Sequence, residues 1–256
     1  MEKKLQGKVV VITGGHQGLG RVFAETCAEA GAEVWIASRN VQAMEQAVQE
    51  IAGRTGAICR YAELNVTQEE SVAHVCQYIV DTSGRVDVLF NNAALGRGST
   101  PLEDASLQEW NSIMDTNVTG TFLCMKHFGK QMIRQGQGNI INLGSLAAKI
   151  ALQGVRTGAY DCSKAAIECL TKCAAAEWAK YNIRVNAIAT GLFLTDINRR
   201  FMDENPGFYE ASAVNIPLNR WGEPHELGAV ALFLASSDSS YVTGAVYSVD
   251  GGYPIW

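Results

Sequence analysis

Seven short apolar runs recur along the chain, separated by longer segments in which apolar and polar residues mix. The runs are rich in Val, Ile and Ala, which is typical of strands buried on both faces. They lie at Val9–Ile12, Val34–Ala37, Ala57–Tyr61, Val86–Phe90, Asn139–Leu143, Ile183–Ile188 and Ala245–Val249. After the first run, apolar residues recur at helical spacing from Leu19 to Ala30, and Gly31 ends the pattern.

This alternation predicts an α/β fold: a single-domain Rossmann-type, doubly wound parallel sheet of about seven strands with helices on both faces. No low-complexity linker or break in composition interrupts it, so residues 1–256 are expected to form one domain. One stretch, residues 195–220, departs from the rhythm and contains Asn205-Pro206-Gly207. Because it follows the carboxyl end of a strand, we expect it to form a lid over the substrate.

Composition and charge argue against several classes of partner. Only 18% of the 256 residues are charged and the net charge is −5, which gives no general attraction to nucleic acid or to anionic membranes. No apolar run approaches the ~20 residues of a membrane span. The seven cysteines form no C-x-x-C pair and the four histidines are scattered, so we expect reduced, buried thiols in a cytoplasmic protein and no metal site.

A glycine-rich turn, Thr13–Gly20, lies between the first strand and the first helix. Glycines let the backbone approach a pyrophosphate, which the unpaired N–H groups of the helix amino terminus attract. Such turns also carry glycine for geometry alone, so it is the position of this turn that favours a dinucleotide site. The predicted cofactor contacts here are Gly14, His16, Gln17, Gly18 and Leu19.

The second strand is followed by Ser38 and Arg39. In dinucleotide-binding folds an acidic residue here binds the ribose hydroxyls of NAD, whereas a basic one accommodates the additional phosphate of NADP. The sequence therefore favours NADP(H), with NAD(H) still possible. The alternative is that Arg39 is an ordinary solvated surface residue.

Tyr160 and Lys164 lie four residues apart in a helical pattern, which places the phenol and the ammonium on one helix face. Free tyrosine titrates near pH ~10, and a nearby cation favours the ionised form of such a group. Ser145 follows the fifth predicted strand at its carboxyl end, where its hydroxyl would polarise a substrate carbonyl. A Tyr-x-x-x-Lys spacing occurs by chance on many helices, so it is the combination with the glycine turn and Ser145 that indicates catalysis.

Together these motifs resemble the short-chain dehydrogenase/reductase family over essentially the whole chain. The resemblance rests on the turn Thr13–Gly20, Asn91–Ala94, Asn117, Ser145, Tyr160, Lys164, Arg184–Asn186 and Val249–Gly252. Within the family, the motif set is similar to that of gluconate 5-dehydrogenase-like members.

The resemblance implies a role for each site residue. Tyr160 would exchange a proton with the substrate oxygen while hydride passes to or from the nicotinamide, and Lys164 would hold the nicotinamide ribose. Ser145 would orient the substrate oxygen, and Asn117 would anchor a water of the proton relay. Further cofactor contacts implied by the family are Asn65 and Val66 near the adenine, Asn92 and Ala93 near the adenosine-side ribose, and Gly191, Phe193 and Thr195 near the nicotinamide. Arg156, in the loop before Tyr160, is expected to border the substrate.

The leading hypothesis is an NADP(H)-dependent oxidoreductase that interconverts a secondary alcohol and a ketone. Its small-molecule substrate ranges from sugar acids and polyols to 3-oxoacyl thioesters and cyclic ketones. One alternative is a catalytically silent dinucleotide sensor, which would not need Ser145, Tyr160 and Lys164. Another is a methyltransferase, for which Arg39 has the wrong charge at the end of the second strand.

The sequence also suggests self-association. Two long helical patterns, about Leu107–Gln135 and Tyr160–Tyr181, contain small residues that permit close packing between helices. In the second pattern these include Ala165, Ala166, Cys169 and Ala174. With the family resemblance, they predict a homodimer or homotetramer.

Overall fold

The computed structural model describes residues 3–96, 100–151 and 157–255. Its strands are β1 (Val9–Thr13), β2 (Glu33–Ser38), β3 (Cys59–Glu63), β4 (Val88–Asn91), β5 (Gly138–Ser145), β6 (Ile183–Thr190) and β7 (Val246–Val249). Its α-helices are α1 (Gly18–Glu29), α2 (Val41–Thr55), α3 (Glu69–Ser83), α4 (Leu107–Met114), α5 (Gly120–Gln135), α6 (Gly158–Trp178), α7 (Asp196–Glu204), α8 (Phe208–Ala213) and α9 (Glu226–Ala235). Among the residues described, no helix combines the length and hydrophobicity that crossing a membrane requires.

The strands form one sheet in the order β3-β2-β1-β4-β5-β6-β7, and every neighbouring pair is parallel. The predicted Rossmann-type sheet of seven strands is therefore confirmed. The direction of strand order reverses between β1 and β4, and in open parallel sheets the crevice at the carboxyl ends beside this point binds ligands. The ends of β1, β2, β4 and β5 thus mark the expected site.

Apolar side chains cover both faces of the sheet. On one face α1, α2 and α9 pack around Phe23, whose ring stacks on Phe90 with centroids 5.1 Å apart. On the other face α3, α5 and α6 enclose Trp35 and Phe128, both fully buried. Strands buried on both faces need no polar positions, which explains the continuous apolar runs of the sequence.

The predicted helix from Leu107 to Gln135 is not regular throughout. A π-helical segment, Asp115–Thr119, joins α4 to α5. Such a segment interrupts the i→i−4 hydrogen-bond ladder and is common at functional sites. Here it carries Asn117, whose side chain faces the protein interior and is 2% exposed.

The stretch after β6 contains two short helices, α7 and α8. Its ends are joined by an isolated parallel bridge between Phe193 and Gly222. Leu194 N donates to Gly222 O at 2.9 Å, and Gly222 N donates to Leu192 O at 2.9 Å. The insertion is therefore anchored at both ends.

The expectation that the cysteines are buried is wrong for three of the seven. All seven thiols are free, but Cys162, Cys169 and Cys173 are exposed on α6. Positions that differ by four and seven lie on one helix face, and α6 turns this face away from the sheet. The sequence pattern identified the helix correctly but not which of its faces is covered.

Candidate functional site

A cleft of about 1600 Å³ lies at the carboxyl ends of the strands. It extends from Ser38 and Arg39 at one end to Tyr160 at the other. Every predicted site residue lines this cleft except Asn117 and Lys164, which are buried beside it. Drug-sized ligands occupy roughly 300–1,000 Å³, so the cleft has room for a dinucleotide together with a small substrate. Arg156 lies outside the described residues.

Gly14 and Gly20 are positions where the turn requires glycine. Gly14 adopts φ +66°, and its N–H donates to Ala37 O at 2.8 Å. A Cβ on Gly20 would lie 2.4 Å from Asn92 Nδ2 and 2.5 Å from the carbonyl oxygen of Gly14. Since real Cβ atoms do not approach so closely, α1 begins beside the turn only because residue 20 has no side chain.

Thr13 joins the turn to the loop after β4, a role that sequence reasoning missed. Its Oγ1 accepts hydrogen bonds from the backbone N–H groups of Asn92 and Ala93, both at 3.0 Å. Asn92 adds hydrogen bonds in the other direction: its side-chain Nδ2 donates to the carbonyl oxygens of Thr13 at 2.9 Å and Gly14 at 3.1 Å. Asn92 lines the cleft as predicted, and its amide also fixes the shape of the glycine turn.

The amino terminus of α1 faces the cleft. Its N-cap residue, Gln17, makes no side-chain capping bond, so the first N–H groups of the helix keep their attraction for an anion. His16 lines the cleft beside it, with a buried Nδ1 that lacks a hydrogen-bond partner among the described residues. Burial lowers the pKa of His16. These features fit a cofactor pyrophosphate.

At the other end of this part of the cleft, Arg39 is exposed and forms no ion pair with any residue in the described ranges. Ser38 accepts a weak bond from Asn40 N at 3.3 Å. Asn65 also lines the cleft, but its Oδ1 already accepts from Thr67 N at 3.1 Å and from Thr67 Oγ1 at 2.9 Å. Its side chain therefore shapes a local turn besides facing the expected adenine position.

Tyr160 and Lys164 meet as the helical spacing predicted. The Lys164 ammonium lies 5.5 Å from the centroid of the Tyr160 ring and is 3% exposed as a residue. Its Nζ donates to the carbonyl oxygen of Leu143 at 2.7 Å, which fixes the cation against β5. Ser145, the last residue of β5, lines the same cleft, and its Oγ accepts from Ala147 N at 3.2 Å.

The side chain of Asn117 makes three hydrogen bonds to two residues, Leu95 and Ser163. Its Oδ1 accepts from Leu95 N at 2.8 Å, and its Nδ2 donates to Leu95 O at 3.2 Å and to Ser163 Oγ at 3.0 Å. Ser163 in turn donates to the carbonyl oxygen of Tyr160 at 2.7 Å. Since both amide hydrogens of Asn117 are used, its side chain connects the π-helical segment to the start of α6. Ser163 was not anticipated from the sequence.

The wall of the cleft opposite the glycine turn comes from the insertion after β6. Gly191 begins it, and a Cβ there would lie 2.6 Å from Asp250 Cα. Phe193 and Thr195 follow, as the family resemblance implied. Asn198, Phe201 and Phe208 of the predicted lid, and Trp221 just beyond it, also line the cleft, although no motif in the sequence singled them out.

The fold and the site together define a dinucleotide-binding α/β protein with a tyrosine lining the ligand crevice and a buried lysine beside it. Within the described chain, no group of three or more His, Cys, Asp or Glu side chains is placed to hold a metal ion.

Comparison with known proteins gives the family. Residues 14–254 match the family model described as enoyl-(acyl carrier protein) reductase. The chain belongs to the short-chain dehydrogenase/reductase family and is an oxidoreductase that acts on CH–OH or C=O groups. The family resemblance inferred from the sequence is confirmed. As a member, it uses a nicotinamide dinucleotide and a small-molecule substrate.

Several relatives cover nearly the whole chain. The 2,5-dichloro-2,5-cyclohexadiene-1,4-diol dehydrogenase of Sphingobium indicum is 37% identical over 97% of this chain and 98% of its own. The galactitol 2-dehydrogenase (L-tagatose-forming) of Cereibacter sphaeroides is 36% identical over 99% and 97%. A gluconate 5-dehydrogenase from Burkholderia cenocepacia, solved with NADP and tartrate, superposes with a TM-score of 0.93 at 31% identity, covering 100% and 98%.

Proposed function

We propose that the protein interconverts a secondary alcohol and a ketone with NADP(H), using Tyr160 as general acid and base. The observation that carries the proposal is the placement of Tyr160 and Ser145 on one cleft, with the buried Lys164 ammonium 5.5 Å from the Tyr160 ring. A catalytically silent sensor would have no need of this arrangement.

In the proposed mechanism the substrate oxygen lies between the hydroxyls of Ser145 and Tyr160. Ser145 donates a hydrogen bond that polarises the carbonyl, and Tyr160 delivers its proton to that oxygen during reduction. The Lys164 ammonium stabilises negative charge on the phenol oxygen, since it is held close by the carbonyl of Leu143. When bound, the nicotinamide supplies or accepts the hydride. In oxidation Tyr160 takes the proton from the alcohol.

The glycine turn and the amino terminus of α1 would hold the pyrophosphate, and Ser38 and Arg39 the phosphate on the adenosine ribose. An exposed guanidinium that pairs with no described residue supports NADP(H) over NAD(H) at this position. The relative from Burkholderia cenocepacia with bound NADP is consistent with this preference.

We also propose that residues 195–220 act as a lid. The helices α7 and α8 lie in this insertion beside the cleft, and the bridge from Phe193 to Gly222 anchors the two ends of the insertion.

Relatives are named for diols, sugar alcohols and gluconate, which supports a substrate that bears a secondary hydroxyl or the corresponding ketone. The free cysteines support the cytoplasmic location expected from the sequence.

We further propose a homodimer or homotetramer that forms through the outer faces of α5 and α6. Phe122 on α5 is 47% exposed, and Ala165 and Cys169 are exposed on α6. Ala174 does not contribute to this face, because it packs into the protein's own core.

The experiment is a turnover assay with purified protein. NADPH and, separately, NADH are mixed with a panel of ketones, and loss of the reduced nicotinamide absorbance is followed. We expect turnover with NADPH and slower turnover with NADH. Tight NADPH binding without turnover of any ketone, and without NADP⁺ reduction by the matching alcohols, would support the sensor instead.

A further inference from the structure

An aromatic surface lines the substrate end of the cleft. It consists of Phe201, Phe208 and Trp221, which we call the aromatic wall. Phe201 and Phe208 meet edge to face with centroids 5.0 Å apart at 83°, and Phe208 meets Trp221 at 6.0 Å and 83°. All three side chains line the cleft.

The wall is held firmly from behind. Trp221 is 2% exposed, and its Nε1 donates to Ser212 Oγ at 2.9 Å, so its polar atom is already satisfied. Ala213 and Ile216 pack behind it as a separate apolar cluster. A backed aromatic surface presents a fixed apolar face to a ligand, and it loses little conformational entropy when the ligand binds.

Phe201 is the exposed member of the wall. It is 44% exposed on α7, whose next residue, Met202, packs against the cluster of Ala213, Ile216 and Trp221. Covering this apolar surface with an apolar ligand would be favourable, and apolar and aromatic side chains predominate in the linings of ligand-binding clefts.

The charge distribution along the cleft points the same way. Among the described residues that line it, Arg39 is the one with a formal charge, and it lies at the adenosine end. The substrate end offers hydroxyl and amide groups instead, from Ser145, Tyr160, Thr195 and Asn198. Lys164 is buried beside the cleft and bonded to the carbonyl of Leu143, so no described side chain at this end offers an exposed cation to a substrate carboxylate. Burying a charge without a partner is costly.

We infer that the substrate is an uncharged cyclic ketone, or the corresponding cyclic secondary alcohol, whose apolar ring packs on Phe201 and Phe208. The reacting oxygen points away from the wall towards Ser145 and Tyr160. This inference rests on the proposed function and names the substrate class of the same site. Phe201 and Phe208 are then specificity-determining residues.

The first test compares kcat/KM for three ketones with NADPH: 4-methylcyclohexanone, the uncharged polyhydroxy ketone D-fructose and the anionic 5-keto-D-gluconate. The variants are Phe201→Ala and the milder Phe201→Leu. The matched control is Tyr78→Ala, since Tyr78 on α3 is 49% exposed, meets Trp35 edge to face at 5.6 Å and does not line the cleft.

We expect the wild type to prefer the cyclic ketone. Phe201→Ala should lower the preference for the cyclic ketone over D-fructose by about tenfold or more, mainly through KM, and Phe201→Leu by less. Tyr78→Ala should leave the preference unchanged. A wild-type preference for D-fructose or 5-keto-D-gluconate, or a ratio that Phe201→Ala does not move, would overturn the inference.

A second measurement does not depend on turnover. Cyclohexanol cannot react with the protein–NADPH complex, because both are already reduced, so its Kd is measured by calorimetry in the wild type, Phe201→Ala and Tyr78→Ala. Binding that Phe201→Ala weakens and Tyr78→Ala does not would support the inference even if no ketone were reduced, in which case the proposed function alone fails. Equal binding to all three proteins, or no binding, would refute the ring-binding role.

Discussion

A buried cation next to a phenol is the central feature at the scale of single residues. Lys164 gives up hydration, and its bond to the carbonyl of Leu143 compensates only part of that loss. The remaining attraction is available for negative charge near the Tyr160 ring. In the proposed mechanism, the spacing of four residues and the burial of Lys164 together prepare Tyr160 for proton transfer.

Tyr160→Phe should lower kcat by about 10²–10⁴-fold, because it removes the proton donor and leaves the aromatic ring in place. Affinity for NADPH, measured by equilibrium fluorescence titration, should change little. Tyr241→Phe is the control, since Tyr241 is fully exposed. Activity close to wild type in Tyr160→Phe would remove Tyr160 from the mechanism.

Arg39→Asp should weaken NADPH binding by about 10–100-fold, since a hydrogen bond to a charged group contributes about 1.5–3 kcal/mol. NADH binding should stay nearly constant, because NADH lacks the additional phosphate. Arg134→Asp, an exposed position on α5, makes the same change of net charge. If both variants weaken NADPH binding equally, Arg39 does not contact the phosphate.

At the scale of elements, the junction between β1 and α1 depends on one missing side chain. Gly20→Ala should destabilise the protein by about 1–3 kcal/mol and weaken NADPH binding, because the new Cβ would overlap Asn92 Nδ2 and the Gly14 carbonyl. Urea unfolding with and without NADPH measures both effects.

The control for that junction is Gly53→Ala in α2, where a new Cβ would meet no neighbouring atom within 4 Å. This substitution should stabilise the protein by up to about 1 kcal/mol, because alanine favours helix. Equal effects at positions 20 and 53 would show that the contact with Asn92 does not matter.

An ion pair links the end of the insertion to the start of α9. Arg220 donates to both carboxylate oxygens of Glu226 at 2.8 and 2.7 Å, and the Glu223 N–H donates to one of them at 2.7 Å. The hydrogen bonds from Arg220 lower the pKa of Glu226 from 4.5 to about 2. A lowered carboxyl pKa stabilises the folded state above the unfolded value, and this contribution disappears as the pH falls from 4.5 towards 2.

We therefore expect Glu226→Gln to be less stable than the wild type near neutral pH, and the difference to shrink as the pH falls below 4.5. Urea unfolding over that range measures it. Glu45→Gln is the control, because Glu45 is exposed on α2 and has no ion pair within the described chain. A difference that stays constant with pH would show that the ion pair does not titrate as expected.

At the scale of the whole molecule, the outer faces of α5 and α6 carry exposed apolar and small residues. Light scattering after size exclusion should show a dimer or tetramer, and Ala165→Glu should reduce the assembly because it puts a charge into the close helix contact. Gln42→Glu on α2 adds the same charge on the other side of the sheet. A monomeric wild type would contradict the proposed assembly.

Much of the fold was predictable, because each strand and helix follows from a local period of apolar residues. The predicted strands lie within two residues of the observed ones at each end; β5, for example, begins one residue earlier than predicted and ends at Ser145. The π-helical segment was not predictable, because the sequence of Asp115–Thr119 continues an ordinary helical pattern. The hydrogen bonds of Asn117 in this segment go to Leu95 and Ser163, which are distant in sequence.

The sequence by itself determined the alternating elements, the glycine turn, and the spacing that puts Tyr160 and Lys164 on one helix face. These features depend on neighbours along the chain, and local geometry is enough to specify them. Only the tertiary structure decided that Thr13 meets Asn92, that Leu143 holds Lys164, and that Asn117 meets Ser163. Those contacts join residues far apart in sequence, and they exist because the order of strands in the sheet brings distant loops to one edge.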